Sequence, residues 1–127
     1  MVAAVRDVVD GGRRLKVILE TGELDPGTIA TASRLAIVGG ADFIKTSTGK
    51  SAVSATPEAA TIMLQAIKAS SRPVGLKVSG GIRTLADARL YLDLADGIMG
   101  PGWAGPATFR IGASGLYDAL VATRAAS

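Results

Sequence analysis

Two lysines stand where this sequence can do chemistry. Ala41-Asp42-Phe43-Ile44-Lys45-Thr46-Ser47-Thr48-Gly49-Lys50 reads as a short buried strand that runs out at Lys45 into a polar loop. Some thirty residues later the pattern returns as Pro73-Val74-Gly75-Leu76-Lys77-Val78-Ser79-Gly80-Gly81. A buried, unpaired ammonium costs several kcal/mol, so packing gives no reason for a lysine in either strand. Each amine therefore either reaches solvent along its flexible stem or is placed for its nitrogen.

The chemistry open to such a pair is nucleophilic. An ordinary lysine has a pKa near ~10.4 and is almost wholly protonated at neutral pH. A second ammonium close by, with partial burial, disfavours the charged form and brings the pKa toward roughly 7–8. The neutral amine can then attack a carbonyl and form an imine. One strand-end lysine alone would read as a snorkelling side chain. Lys45 and Lys77 at equivalent strand ends, with Lys16 on a neighbouring strand, read as an amine cluster.

Other residue types narrow the field. The chain has no histidine and no cysteine, which excludes imidazole acid–base chemistry, Ser-His triads, thiolate nucleophiles and disulfides. Any catalysis falls to Lys, Asp, Glu, Tyr or hydroxyl groups. Gly80-Gly81 and Gly112-Ala113-Ser114-Gly115 each follow a strand and precede or open a helix. Backbone N–H groups at such points suit a phosphate, although glycine serves turns and caps more often. Thr48, Gly49 and Lys50 could add a hydroxyl, a backbone donor and a charge. Glu20 shares a face with Lys16 and is equally suited to relaying protons or pairing with a lysine. Asp42, at the start of its strand, reads as structural. Asp87, Asp93 and Asp96 read as solvated helix positions, and Trp103 and Tyr117 as partly buried.

The elements that must hold these groups follow from periodicity and caps. Met1 to Val9, apolar at 2, 5, 8 and 9, reads as a short helix ended by Gly11-Gly12. Leu15–Leu19 reads as a strand, and residues 20–23 as a polar loop. Asp25-Pro26 pairs an N-cap with a proline at the first helical position, for a helix to about Val38 stopped by Gly39-Gly40. A strand over Asp42–Thr46 and a loop to Ala55 follow. Thr56-Pro57-Glu58 starts a helix to about Ser70. A strand over Val74–Val78 leads through Ser79–Arg83 to a helix from Thr84, with Asp87 in a capping-box position. That helix fades over 97–102. Thr108–Ile111 is a last strand, and Ser114 to about Thr123 a last helix.

An initial helix and four strand–helix units of this kind imply an α/β fold with a parallel sheet and right-handed crossovers. Within the strands, one face takes Val17, Leu19, Ile44, Val74, Leu76 and Val78. The other takes Lys16, Ile18, Glu20, Phe43, Lys45, Gly75, Lys77 and Ser79. A sheet covered by helices on both sides should be apolar on both faces. A barrel interior can carry polar groups near its C-terminal mouth. The pattern favours half of a (β/α)8 barrel, a single (β/α)4 domain over residues 1–127. A full barrel needs about 250 residues, and four strands alone leave two open edges. The half is expected to complete itself, as a homo-oligomer or with a complementary half-barrel.

Composition agrees with a globular chain. Of its 127 residues 48% are hydrophobic and 20% charged, and the +3 net charge is scattered, giving no basis for nucleic-acid binding. No apolar run reaches the roughly 20 residues of a membrane span and no leader-like segment stands at the start, so a cytoplasmic location is expected.

Four long segments resemble deoxyribose-phosphate aldolase: residues 15–24, 42–50, 75–84 and 110–114. The likeness extends from Leu15 to about Val121 and corresponds to the C-terminal half of that family's barrel. It implies a class I aldolase, independent of metal or cofactor, in deoxyribonucleotide catabolism. Such an enzyme interconverts 2-deoxy-D-ribose 5-phosphate with acetaldehyde and D-glyceraldehyde 3-phosphate. Lys45 then matches the Schiff-base lysine, Lys77 the lysine that perturbs it, and Lys16 a further active-site lysine. Gly80, Gly81 and Ser114 match the phosphate site, and Thr48 and Lys50 the substrate loop. Gly115 replaces a serine often seen there, and the family's catalytic aspartate belongs to its other half. Two alternatives stay open: a non-catalytic phosphosugar-binding half-barrel, or a half that is active only with its partner.

Overall fold

The computed structural model describes residues 15–48 and 54–112. Within them the chain forms strand β1 (Lys16–Ile18), a 3-10 turn (Thr21–Glu23), helix α1 (Pro26–Val38), strand β2 (Phe43–Lys45), helix α2 (Pro57–Ala69), strand β3 (Gly75–Ser79), helix α3 (Leu85–Met99) and strand β4 (Phe109–Gly112). The expected initial and final helices, over 1–9 and 114–123, lie outside these residues.

Each helix begins where its cap chemistry places it. The Asp25 carboxylate accepts the Thr28 N–H at 2.7 Å, and the Thr56 hydroxyl accepts the Ala59 N–H at 3.1 Å. Pro26 and Pro57 occupy first-turn positions, where the missing N–H costs nothing. At α3 the capping box is complete: Thr84 Oγ1 accepts the Asp87 N–H, and the Asp87 carboxylate accepts the Thr84 N–H in return. The helix ends inside the expected stretch of 97–102. The helix runs on through Gly97 to Met99, where Gly100 ends it at φ 98°.

The four strands make one parallel sheet in the order β1-β2-β3-β4. Sequential parallel neighbours with a helix between each pair are successive βαβ units. The helices cover one face. There Ile44, Leu76 and Val78 pack with Ile29, Ile37, Met63, Leu64 and Ile67, and Val17 and Leu19 lie against the same core. These are the strand positions that alternation assigned to the apolar face. Asp42 is structural, as read from the sequence: its carboxylate accepts the Leu15 N–H at 2.8 Å, at the end of the sheet where β1 and β2 begin.

The opposite face is built in rungs. Lys16 pairs with Phe43 and Phe43 with Gly75; Ile18 pairs with Lys45, Lys45 with Lys77, and Lys77 with Arg110; Ser79 pairs with Gly112. The lower rung is sealed by an aromatic ring. Phe43 is fully buried although it lies on the lysine face, because its ring fills the space over Gly75. A Cβ at Gly75 would lie 2.4 Å from that ring. Among the described residues no helix is long and apolar enough to cross a membrane.

Candidate active site

The middle rung gathers the cations. Register sets Lys45 beside Lys77 and Lys77 beside Arg110 on adjacent strands, which lie about 4.8 Å apart. Lys16 sits one rung lower on the outer strand β1 and is exposed. The three lysines read from the sequence therefore do share one face and one neighbourhood. The consequence falls on Lys77: partial burial, then the charges of Lys45, Lys16 and Arg110, hold its amine below the ordinary lysine range.

Arg110 is the member that sequence reasoning passed over. Its guanidinium lies 4.4 Å from the centre of the Phe43 ring, and its Nε donates to the Pro106 carbonyl at 3.2 Å. Phe43 thus seals the lower rung and holds Arg110 beside Lys77. The signal was available in alternation: with Phe109 and Ile111 facing the helices, Arg110 must face the amines. An apolar groove lined by Leu85, Ala88, Leu92, Phe109 and Ile111 lies on the helix side, away from this face.

Above the amines, a hydroxyl lock joins the ends of β2 and β3. Thr46 Oγ1 accepts the Ser79 N–H at 3.0 Å, and Ser47 Oγ donates to the Ser79 carbonyl at 2.6 Å. Thr46 and Ser47 are fully buried, so these bonds are shielded from water. They fix the chain directly after Lys45 to Ser79, two residues after Lys77. Neither hydroxyl was singled out in the sequence. Their signal is their position, as polar residues continuing a buried strand.

A second clamp comes from β1. Leu19 N donates to the Lys45 carbonyl at 3.0 Å, and Thr21 N to the Thr46 carbonyl at 2.8 Å. Between them Glu20 takes the left-handed conformation, with φ 58° and ψ 59°. For a non-glycine residue that costs about 1–3 kcal/mol, so its surroundings must enforce it. Its carboxylate accepts the Thr48 hydroxyl at 2.8 Å and the Thr48 N–H at 3.2 Å. The sequence left Glu20 between relay and ion pair. The structure ties it to the substrate-loop candidate Thr48.

Gly80 and Gly81 follow β3 with φ of 88° and 75°, a conformation glycine takes at little cost. A Cβ on Gly80 would meet Ser54 Cβ at 2.3 Å, so the loop also needs glycine for room. Three of the remaining candidates, Lys50, Ser114 and Gly115, lie outside the described residues, as does Tyr117. Trp103 is half-buried against the core, as expected.

Against known proteins, the sequence matches the DeoC/LacD aldolase family over residues 9–113. The chain belongs to that family. A deoxyribose-phosphate aldolase from Agrobacterium fabrum is 62% identical over 119 residues, covering 93% of this chain and 46% of the relative. A Toxoplasma gondii protein described as a deoxyribose-phosphate aldolase, solved in its apo form, superposes with a TM-score of 0.89. It is 31% identical, with 99% of this chain and 50% of its own covered. A tetrameric deoxyribose phosphate aldolase from Aeropyrum pernix gives a TM-score of 0.73 at 27% identity, over 99% and 48% of the two chains.

This DeoC/LacD chain spans about half the length of the relatives it matches. Its four described parallel strands, with a helix between each pair, correspond to half of a (β/α)8 barrel. The lysine-bearing face is then the barrel interior. Lys45, Lys77 and the glycine loop lie toward the C-terminal ends of their strands, where barrels of this kind carry chemistry.

Proposed function

We propose that the chain carries the imine-forming half of a class I aldolase that acts on 2-deoxy-D-ribose 5-phosphate. The observation that supports this best is the register of Lys45 against Lys77, with Arg110 on the same rung. Such a cluster favours a neutral amine at lower pH than a solitary lysine would.

In the cleavage direction the Lys45 amine adds to the substrate's C1 aldehyde, and loss of water gives the protonated imine. A base removes the proton from the C3 hydroxyl. The C3–O electrons form the new aldehyde, the C2–C3 bond breaks, and its electron pair moves into the imine to give an enamine. Protonation of the enamine at C2 and hydrolysis release acetaldehyde and restore the amine. The other product is D-glyceraldehyde 3-phosphate. Lys77, with its depressed pKa, is suited to move protons beside the imine. The Gly80-Gly81 loop, with Ser114, Gly115, Thr48 and Lys50, would hold the phosphate end. The partner that completes the interior is a complementary half-barrel or another copy, and the setting is the cytoplasm.

The depressed amine is Lys77, and this supports a second reading in which Lys77 itself forms the imine. One experiment separates the two. Incubation with acetaldehyde and borohydride, followed by intact mass and peptide mapping, is expected to give a single adduct on Lys45. An adduct on Lys77 exchanges the two roles. Labelling spread evenly over many lysines overturns the proposed function.

A further inference from the structure

Ser79 lies within a segment of the resemblance but is given no role by it and none in the mechanism above, yet its hydroxyl is placed as a ligand group. The residue is only 6% exposed, and among the described residues its Oγ has no hydrogen-bond partner. A buried hydroxyl without a partner gives up its bonds to water with nothing in return, so it calls for an explanation. Its backbone is already held on both sides, the N–H by Thr46 and the carbonyl by Ser47. The side chain therefore has a fixed origin. By alternation it lies on the face of Lys77, one repeat nearer the mouth and directly before Gly80-Gly81.

Gly112, its register partner on β4, leaves room that the Ser79 hydroxyl and the Lys77 stem fill. A Cβ there would lie 2.7 Å from Ser79 Oγ and 3.0 Å from Lys77 Cε. The hydroxyl and the lysine stem thus meet over this glycine, in one niche between the amine rung and the glycine loop. Two residues of strand separate Lys77 from Ser79, about 6.6 Å. A phosphosugar running from an imine at the amine rung to a phosphate at the loop would pass this niche with its middle carbons.

We infer that Ser79 Oγ is a specificity group that hydrogen-bonds the substrate hydroxyl next to the phosphate-bearing carbon, which takes no part in bond cleavage. In 2-deoxyribose 5-phosphate this is the 4-hydroxyl, which becomes the 2-hydroxyl of glyceraldehyde 3-phosphate. Ser79 thereby selects hydroxylated aldehyde phosphates over their deoxy analogues. The inference rests on the imine-forming reading above.

The test is a cycle of two proteins and two aldehydes. Wild-type chain and Ser79→Ala are each titrated with 2-deoxyribose 5-phosphate and with the analogue lacking the 4-hydroxyl. Borohydride-trapped imine is quantified by mass spectrometry, and half-saturating concentrations are compared. Differences in the free-aldehyde content of the two sugars cancel in the ratio between proteins. The expected result is that Ser79→Ala raises the half-saturating concentration for 2-deoxyribose 5-phosphate about three- to tenfold more than that for the analogue. Ser79→Thr, which keeps the hydroxyl, is expected to retain more of the preference than Ser79→Ala does. Equal shifts for both sugars, with imine formed in the wild type, overturn the role of Ser79 and leave the proposed function standing. Absence of specific imine with either sugar in the wild type overturns both.

Discussion

Lys45 and Lys77 differ in surroundings although they share a rung. Lys77 faces Lys45 on one side and Arg110 on the other, and burial with these charges holds it below the ordinary lysine range. Its folded pKa lies below its unfolded value, so between the two values the unfolded chain binds more protons. Stability therefore rises with pH through that window, up to the ordinary lysine value near 10.5. Lys77→Met is expected to remove this rise, seen as a flatter dependence of Tm on pH below 10.5. A similar argument from space applies at Gly75. Gly75→Ala drives a Cβ into the Phe43 ring and is expected to cost about 1–3 kcal/mol in urea unfolding. Because that ring also carries Arg110, the variant should weaken imine trapping as well.

At the scale of elements, what matters is how strand ends are tied together. Three parallel strands of three to five residues would position their C-terminal side chains loosely if only the ladder held them. The hydroxyls of Thr46 and Ser47 bind β2 to β3, and the Leu19 and Thr21 amides bind β1 to β2. Thr46→Val keeps the shape but leaves the buried Ser79 N–H without its acceptor. The expected loss is about 1–3 kcal/mol of stability in urea, together with slower imine trapping. Thr84→Ala, by contrast, removes a helix cap distant from the amine rung. It is expected to cost about 1 kcal/mol while leaving the trapping concentration dependence unchanged. A parallel fall in both variants would mean that trapping reports global stability and not the geometry of the strand ends.

For the whole molecule, the described sheet has outer strands β1 and β4 and an interior face carrying Lys16, Lys45, Lys77 and Arg110. Like charges on one face repel, so an anion that gathers there stabilises the folded chain by mass action. Adding inorganic phosphate is expected to raise Tm, and the gain should shrink in Gly80→Ala, whose loop loses both its φ and its room beside Ser54. The edges lead to a prediction about assembly. Light scattering is expected to find the chain associated, or to find it associating when a complementary half-barrel is added. A well-folded species that stays monomeric in both conditions would overturn this.

Much of this molecule is readable before it folds, because some of its physics is local. Asp25-Pro26 and Thr56-Pro57 start helices by satisfying backbone donors within three residues, and the structure starts them there. Alternation in the strands sorted Ile44, Leu76 and Val78 from Lys45 and Lys77, because a pleated strand must send neighbours to opposite faces. The family likeness rested on the same strand and loop segments. Register is another matter. That Lys45 stands against Lys77, and Lys77 against Arg110, depends on how separate strands dock, and no spacing within one segment states it. The buried Phe43 on a polar face, the left-handed Glu20 turned to Thr48, and the Ser79 hydroxyl packed over Gly112 arise the same way. Each exists only because residues 27 or more positions apart were brought within a few ångströms, and only the tertiary structure decides which ones.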